Sequence, residues 1–194
     1  MAKKAKAKSS RKKAFLTDVK TLRTRARKHL DQGAIGDSYI GNVQTTIDIL
    51  QSVLATEIVC VLRYSMHSIA ATGISSESVK DEFAVHAKEE HEHAMMVAER
   101  INQLGGKPNF NPEGLVSRSA SQYVEGENLV DMIRENLVAE RIAVDHYREL
   151  VRYFGDDDPG TRKMLVDILR TEEEHANDMH DLLVAHEGTP MLKG

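Results

Sequence analysis

The stretch ILRTEEEHANDMHDLL at residues 168–183 decides the reading of this chain. Its apolar members Ile168, Leu169, Met179, Leu182 and Leu183 continue a spacing of threes and fours begun at Met164 and Leu165, which is a helical period and not a strand's alternation. Inside it stands Glu172-x-x-His175. At a spacing of three, both side chains leave nearly the same helix face and reach one point in space. The segment EEHEHA at residues 89–94 holds a second copy, Glu90-x-x-His93. One match in an acid-rich run reads as a solvated face; two matches with further matched glutamates do not.

Those further glutamates are Glu57, 33 residues before Glu90, and Glu140, 32 residues before Glu172. Each separation spans one helical hairpin in the same way, so the two halves read as pseudo-repeats. Tyr64 and Tyr147 repeat the match, each seven residues beyond its glutamate and therefore two turns along the same face. Four helices would then direct four carboxylates and two imidazoles at one midpoint. Buried alone, those carboxylates repel one another and are costly to desolvate. Two divalent or trivalent cations reverse that balance, and the donor set suits iron or manganese. The candidate ligands are Glu57, Glu90, His93, Glu140, Glu172 and His175. Glu89 and Glu173, one residue off the face, are expected to matter little.

Glycine and proline mark out the helices. The stretches 42–72, 74–104, 127–154 and 161–187 contain neither residue. Each is long enough for a continuous helix of roughly 40–47 Å. Asp158 followed by Pro159 suits a helix start. Short links at Gly73 and at 155–160 make antiparallel neighbours, whereas 105–126 is long enough to run the length of a bundle. The expected fold is all-α, a four-helix bundle with one long crossover between its second and third helices.

The 194 residues suffice for one ordinary domain, with 41% apolar and 29% charged residues, a globular balance. Aromatics are only 5%, so the core must be aliphatic. The single cysteine, Cys60, excludes an internal disulfide or a cysteine zinc site and suits a reducing compartment, the cytoplasm. It is expected in the core. No run reads as long and apolar enough to span a membrane, and the start lacks a secretory signal's apolar segment. The charge is uneven. Residues 1–30 carry +11 and the remainder −15. The expected organisation is a basic arm over 1–30, disordered over 1–13 with a short helix within 17–30, and a bundle domain over 31–190. His146, His180 and His186 read as surface or packing residues, and His86 and His91 as lying off the ligand face.

The segments IVCVLRY (58–64), EEHEHA (89–94) and ILRTEEEHANDMHDLL (168–183) resemble the ferritin-like superfamily, and within it bacterioferritin-like and Dps-like proteins. The likeness covers about residues 42–187. It implies that Glu57 and His93 end-ligate one iron, Glu140 and His175 the other, and that Glu90 and Glu172 bridge them. Tyr64 matches the tyrosine beside the bacterioferritin site, where it hydrogen-bonds a ligand or donates an electron. His91 stands where bacterioferritins place the haem-ligating Met, so haem is not expected. The few residues after His175 favour a shell of twelve subunits over twenty-four, and the Lys-rich start is a Dps feature.

The resemblance thus implies a ferroxidase that oxidises Fe(II) at a di-iron site within one subunit and stores Fe(III) in a hollow homo-oligomer. The acidic body suits cation capture. The arm suits sequence-independent binding to DNA. Rival readings are a manganese catalase- or peroxidase-like dimetal enzyme, and a protein whose main task is nucleoid binding.

Overall fold

The computed structural model describes residues 16–28, 30, 33, 35–36, 38–73 and 76–187; the arm expected over 1–13 lies outside them. The chain forms two compact units, Met1–Ser38 and Tyr39–Gly194. In the first, helix α1 (Val19–Arg25) starts at Asp18, whose carboxylate accepts from the Thr21 amide at 3.0 Å and from its hydroxyl at 2.6 Å. Arg23 and Arg25 occupy its last turn, where cations oppose the helix dipole favourably.

The second unit is the four-helix bundle that the sequence predicts, formed by α2 (Val43–Ala70), α3 (Ser76–Gln103), α5 (Leu129–Phe154) and α6 (Pro159–Glu187), with a single-turn helix α4 (Leu115–Arg118) in the crossover. Three of the bundle helices have a chemical cause for their start. Asn42 accepts from the Thr45 amide, Asn128 from the Asp131 amide, and Asp158 from the Thr161 amide, which satisfies donors that a helix terminus leaves free. Proline follows Asp158 at the first helical position, where its missing N–H costs nothing.

Cross-helix contacts give the directions. Glu57 meets Tyr147 and Tyr64 meets Glu140, in opposite order along the two helices, so α2 runs antiparallel to α5, and the short links between α2 and α3 and between α5 and α6 make each of those pairs antiparallel. The crossover climbs beside α2. Gln51 bonds the Lys107 carbonyl, Ser52 that of Arg118, and the Thr56 hydroxyl accepts from the Ala120 amide. Higher up, Arg63 reaches Ser121 and the Gln122 carbonyl, and His67 the Glu125 carbonyl. The crossover closes at Gly126, with φ +70°, where a Cβ would sit 2.9 Å from the Met132 amide nitrogen. Only glycine fits there without moving backbone.

Aliphatic side chains fill the bundle, among them Leu50, Leu54, Val97, Ile101, Leu165 and Ile168, each contributing about 1.5–3 kcal/mol on burial. Towards the other end, Tyr64, Val79, Phe83, Ile133 and Met179 pack together. Among the described residues, α2 has the length and hydropathy of a membrane span, with a mean hydropathy of 1.6 in its most apolar window, contrary to the expectation that no run does. The cause lies in the bundle: α2 is the helix most enclosed by its neighbours, and Glu57 and Arg63 are buried in it. Glu57, Glu90, Glu140 and Glu172 each fall at the middle of their helix, which puts a polar layer between the two apolar ends.

Candidate metal centre

The six residues singled out by spacing meet in that layer. Glu57, Glu90, Glu140 and Glu172 are each 1% exposed, His93 4% and His175 2%. They form two overlapping groups: Glu57, Glu90, His93 and Glu172 in one, and Glu90, Glu140, Glu172 and His175 in the other. Glu90 and Glu172 belong to both. His93 Nδ1 lies 2.9 Å from Glu172 Oε1 and 3.3 Å from Glu57 Oε2. His175 Nδ1 lies 3.5 Å from Glu90 Oε1 and 3.9 Å from Glu140 Oε2.

These atoms approach without satisfying one another. Glu57 Oε2, Glu90 Oε1, Glu140 Oε2, both Glu172 oxygens, His93 Nδ1 and His175 Nδ1 are buried and make no hydrogen bond. Each such atom costs about 1–3 kcal/mol or more when left unpaired, so a set of seven gathered in one layer could be satisfied by cations. Burial, then the charge of Glu90, pushes the carboxyls of Glu57, Glu140 and Glu172 above their ordinary range. Burial opposes a charge on His93, but Glu172, Glu57 and Glu90 draw its pKa up. Protons gather where positive charge is missing. Four carboxylates and two imidazole nitrogens therefore fit two divalent ions, with neutrality reached at two ions per centre.

A second ring of contacts aims the first. The Tyr147 hydroxyl donates to Glu57 Oε1 at 2.5 Å, and the Tyr64 hydroxyl donates to Glu140 Oε1. Each tyrosine thus holds the glutamate of the opposite hairpin. His175 Nε2–H donates to Glu89 Oε2 at 2.8 Å, which leaves Nδ1 with a lone pair facing the centre. Glu89, which spacing alone sets apart from the ligand face, is therefore hydrogen-bonded to one of the candidate ligands. Helix geometry does place it one residue off the α3 face, but α6 brings His175 to that side. Glu173 stays outside, paired with Arg148 at 2.6 Å.

Sequence reasoning also missed His86. It is 1% exposed, its ring stacks on His175 at 3.9 Å between centroids, and its Nδ1 lies 3.2 Å from the Tyr64 hydroxyl. The signal was present: His86 precedes Glu90 by four residues and His93 by seven, on the same stripe of α3. His91 is exposed, and Cys60 is buried in α2 as expected.

A family model described as a ferritin-like domain matches residues 47–187. A DNA protection during starvation protein from Pyrococcus furiosus is 28% identical over 145 residues, which is 73% of this chain and 78% of that protein. The dodecameric thioferritin of Bacteroides fragilis, a bacterioferritin-related protein, superposes with a TM-score of 0.73 at 29% identity, over 79% of this chain and 94% of that one. The Dps of Thermosynechococcus elongatus has the same fold, with a TM-score of 0.69 at 18% identity over 72% of this chain and 90% of that one.

Proposed function

The chain belongs to the ferritin-like family, and from that membership and its doubled centre we propose that it is a ferroxidase that oxidises and stores iron. The observation that carries this reading is the set of seven buried, unpaired ligand atoms, with Glu90 and Glu172 common to both groups. Two Fe(II) ions are the substrate. Glu57 and His93 hold one, Glu140 and His175 the other, and Glu90 and Glu172 bridge them.

The chemistry is a two-electron oxidation. Two Fe(II) ions become two Fe(III) ions, and one dioxygen with two protons becomes hydrogen peroxide, or one peroxide with two protons becomes two waters. The protein's part is to hold both ions at a fixed separation, so that both electrons leave together. Tyr64 and Tyr147 keep Glu140 and Glu57 oriented, and Glu89 keeps the Nδ1 lone pair of His175 on the centre. Four carboxylates balance two divalent ions but not two trivalent ones.

We place the protein in the cytoplasm as a hollow homo-oligomer that receives the Fe(III). Likeness to a dodecameric protein at 29% identity supports twelve subunits. The basic start of the chain supports DNA as a second partner, bound through phosphates.

Stopped-flow oxidation of Fe(II) tests the centre. Glu90→Ala and Glu172→Ala are each expected to abolish the fast phase, because each removes a ligand from both groups. Glu173→Ala should keep it. Equal rates in the two classes of variant overturn the proposal. Tight manganese in the purified protein with rapid disproportionation of peroxide would instead establish a catalase.

A further inference from the structure

His86 is the imidazole beside the centre that ferroxidase chemistry leaves unused. Its protonation pattern follows from its neighbours. The Tyr64 hydroxyl gives its hydrogen to Glu140, so its oxygen is the acceptor for His86 Nδ1–H at 3.2 Å. With the proton on Nδ1, Nε2 carries a bare lone pair. That lone pair faces two carboxylates, Glu82 Oε1 at 3.3 Å and Asp178 Oδ2 at 3.7 Å. The three atoms lie within 4.8 Å of one another. Three acceptors without a hydrogen between them repel, and a cation turns that repulsion into coordination.

The elements that build this cluster differ from those that build a solvated acidic face. Glu82 is one turn before His86 on α3, and Asp178 is one turn beyond His175 on α6. The imidazole is 1% exposed, whereas the Glu82 and Asp178 side chains are 38% and 51% exposed. The cluster is therefore open to water through its carboxylates and closed on its inner side by a ring that stacks on His175. Both neighbouring helices are committed to the position, because His86 is wedged between Tyr64 and His175.

We propose a third divalent-cation site made by Glu82, His86 and Asp178, which takes ions from solution at the wall of the dinuclear centre. Two carboxylate oxygens and one imidazole nitrogen suit Fe(II), Mn(II) or Zn(II), and three protein ligands leave positions for exchangeable water. Weak, open coordination at the surface and enclosed coordination by six ligands behind it give a downhill order for an incoming ion. The site stands on its own three residues; its loading role rests on the ferroxidase reading.

Zinc is the probe, since it binds without redox change. Crystals of the full-length protein soaked in Zn(II) are expected to show anomalous peaks at the two central positions and a third between Glu82, His86 and Asp178. Glu82→Gln combined with Asp178→Asn changes only half-exposed side chains isosterically, so the bundle should fold. That double variant should keep the central peaks and lose the third, and calorimetric titration should fall from three zinc ions per chain to two. Absence of the third peak in the unaltered protein, or its persistence in the double variant, overturns the site. Missing central peaks would instead overturn the dinuclear reading. The loading role has its own readout: at Fe(II) concentrations below saturation, the double variant should oxidise iron several-fold more slowly. A rate equal to that of the unaltered protein overturns that role.

Discussion

Glu89 shows how a single residue is placed in a site by its partner and not by its own spacing. Its carboxylate receives Nε2–H of His175, which fixes the tautomer in which the Nδ1 lone pair faces the buried carboxylates. Without it, Nε2 would be free to exchange the proton with Nδ1, and the ring would be free to turn. Groups in this position typically govern metal affinity by 10- to 100-fold, roughly. Glu89→Ala is therefore expected to weaken one of the two central sites by about that factor and leave the other near its original affinity. Competition titration against a chelator would resolve the two steps. If both keep their original affinity, the hydrogen bond has no influence on the ligand.

At the scale of elements, the crossover is held by a buried polar network and not by apolar packing alone. Arg63, 1% exposed, donates to Asn136 at 2.8 Å and to the Gln122 carbonyl at 2.8 Å, joining α2, α5 and the crossover. His67 belongs to the same network. Asn136 donates to its Nδ1 at 3.0 Å, and its Nε2–H donates to the Glu125 carbonyl at 2.8 Å. Both nitrogens are used in the neutral form, so protonation would break the bond at Nδ1. Burial holds the pKa of His67 below its ordinary 6.5. A depressed folded-state pKa means stability that is complete above the unfolded value and is lost as pH falls through the folded one. The Tm difference between the unaltered protein and His67→Asn should therefore be largest above about pH 6.5 and narrow as acid is added. A difference that stays constant with pH would show that His67 acts only by packing.

At the scale of the whole molecule, two kinds of association can be tested. Light scattering is expected to show a closed assembly near twelve subunits. A monomer or dimer at working concentration would remove storage in a cavity and leave a small dimetal enzyme. Residues 1–13 hold seven positive charges and no acid. Repeated many times on one shell, such segments add their phosphate contacts while reading no base. Deleting residues 2–13 should abolish retardation of DNA at low salt while assembly and Fe(II) oxidation stay unchanged. Retardation by the truncated protein equal to that of the full-length one would mean that DNA is held elsewhere or not at all.

Much of this was legible without coordinates, because helices are local objects. Glycine and proline mark their ends, threes and fours mark their buried faces, and a spacing of three puts Glu90 with His93 and Glu172 with His175. The matched intervals from Glu57 and Glu140 set the two hairpins in register, and the long interval 105–126 allowed only a crossover. What periodicity does not encode is which helices are neighbours and how far one is offset along the other. That offset pairs Tyr64 with Glu140 and Tyr147 with Glu57, each across to the other hairpin. It also carries Glu89 to His175 and turns His86 from an unassigned side chain into the inner wall of a cation cluster. A helix determines which of its own residues share a face; only packing, through the distances between faces, decides what that face meets.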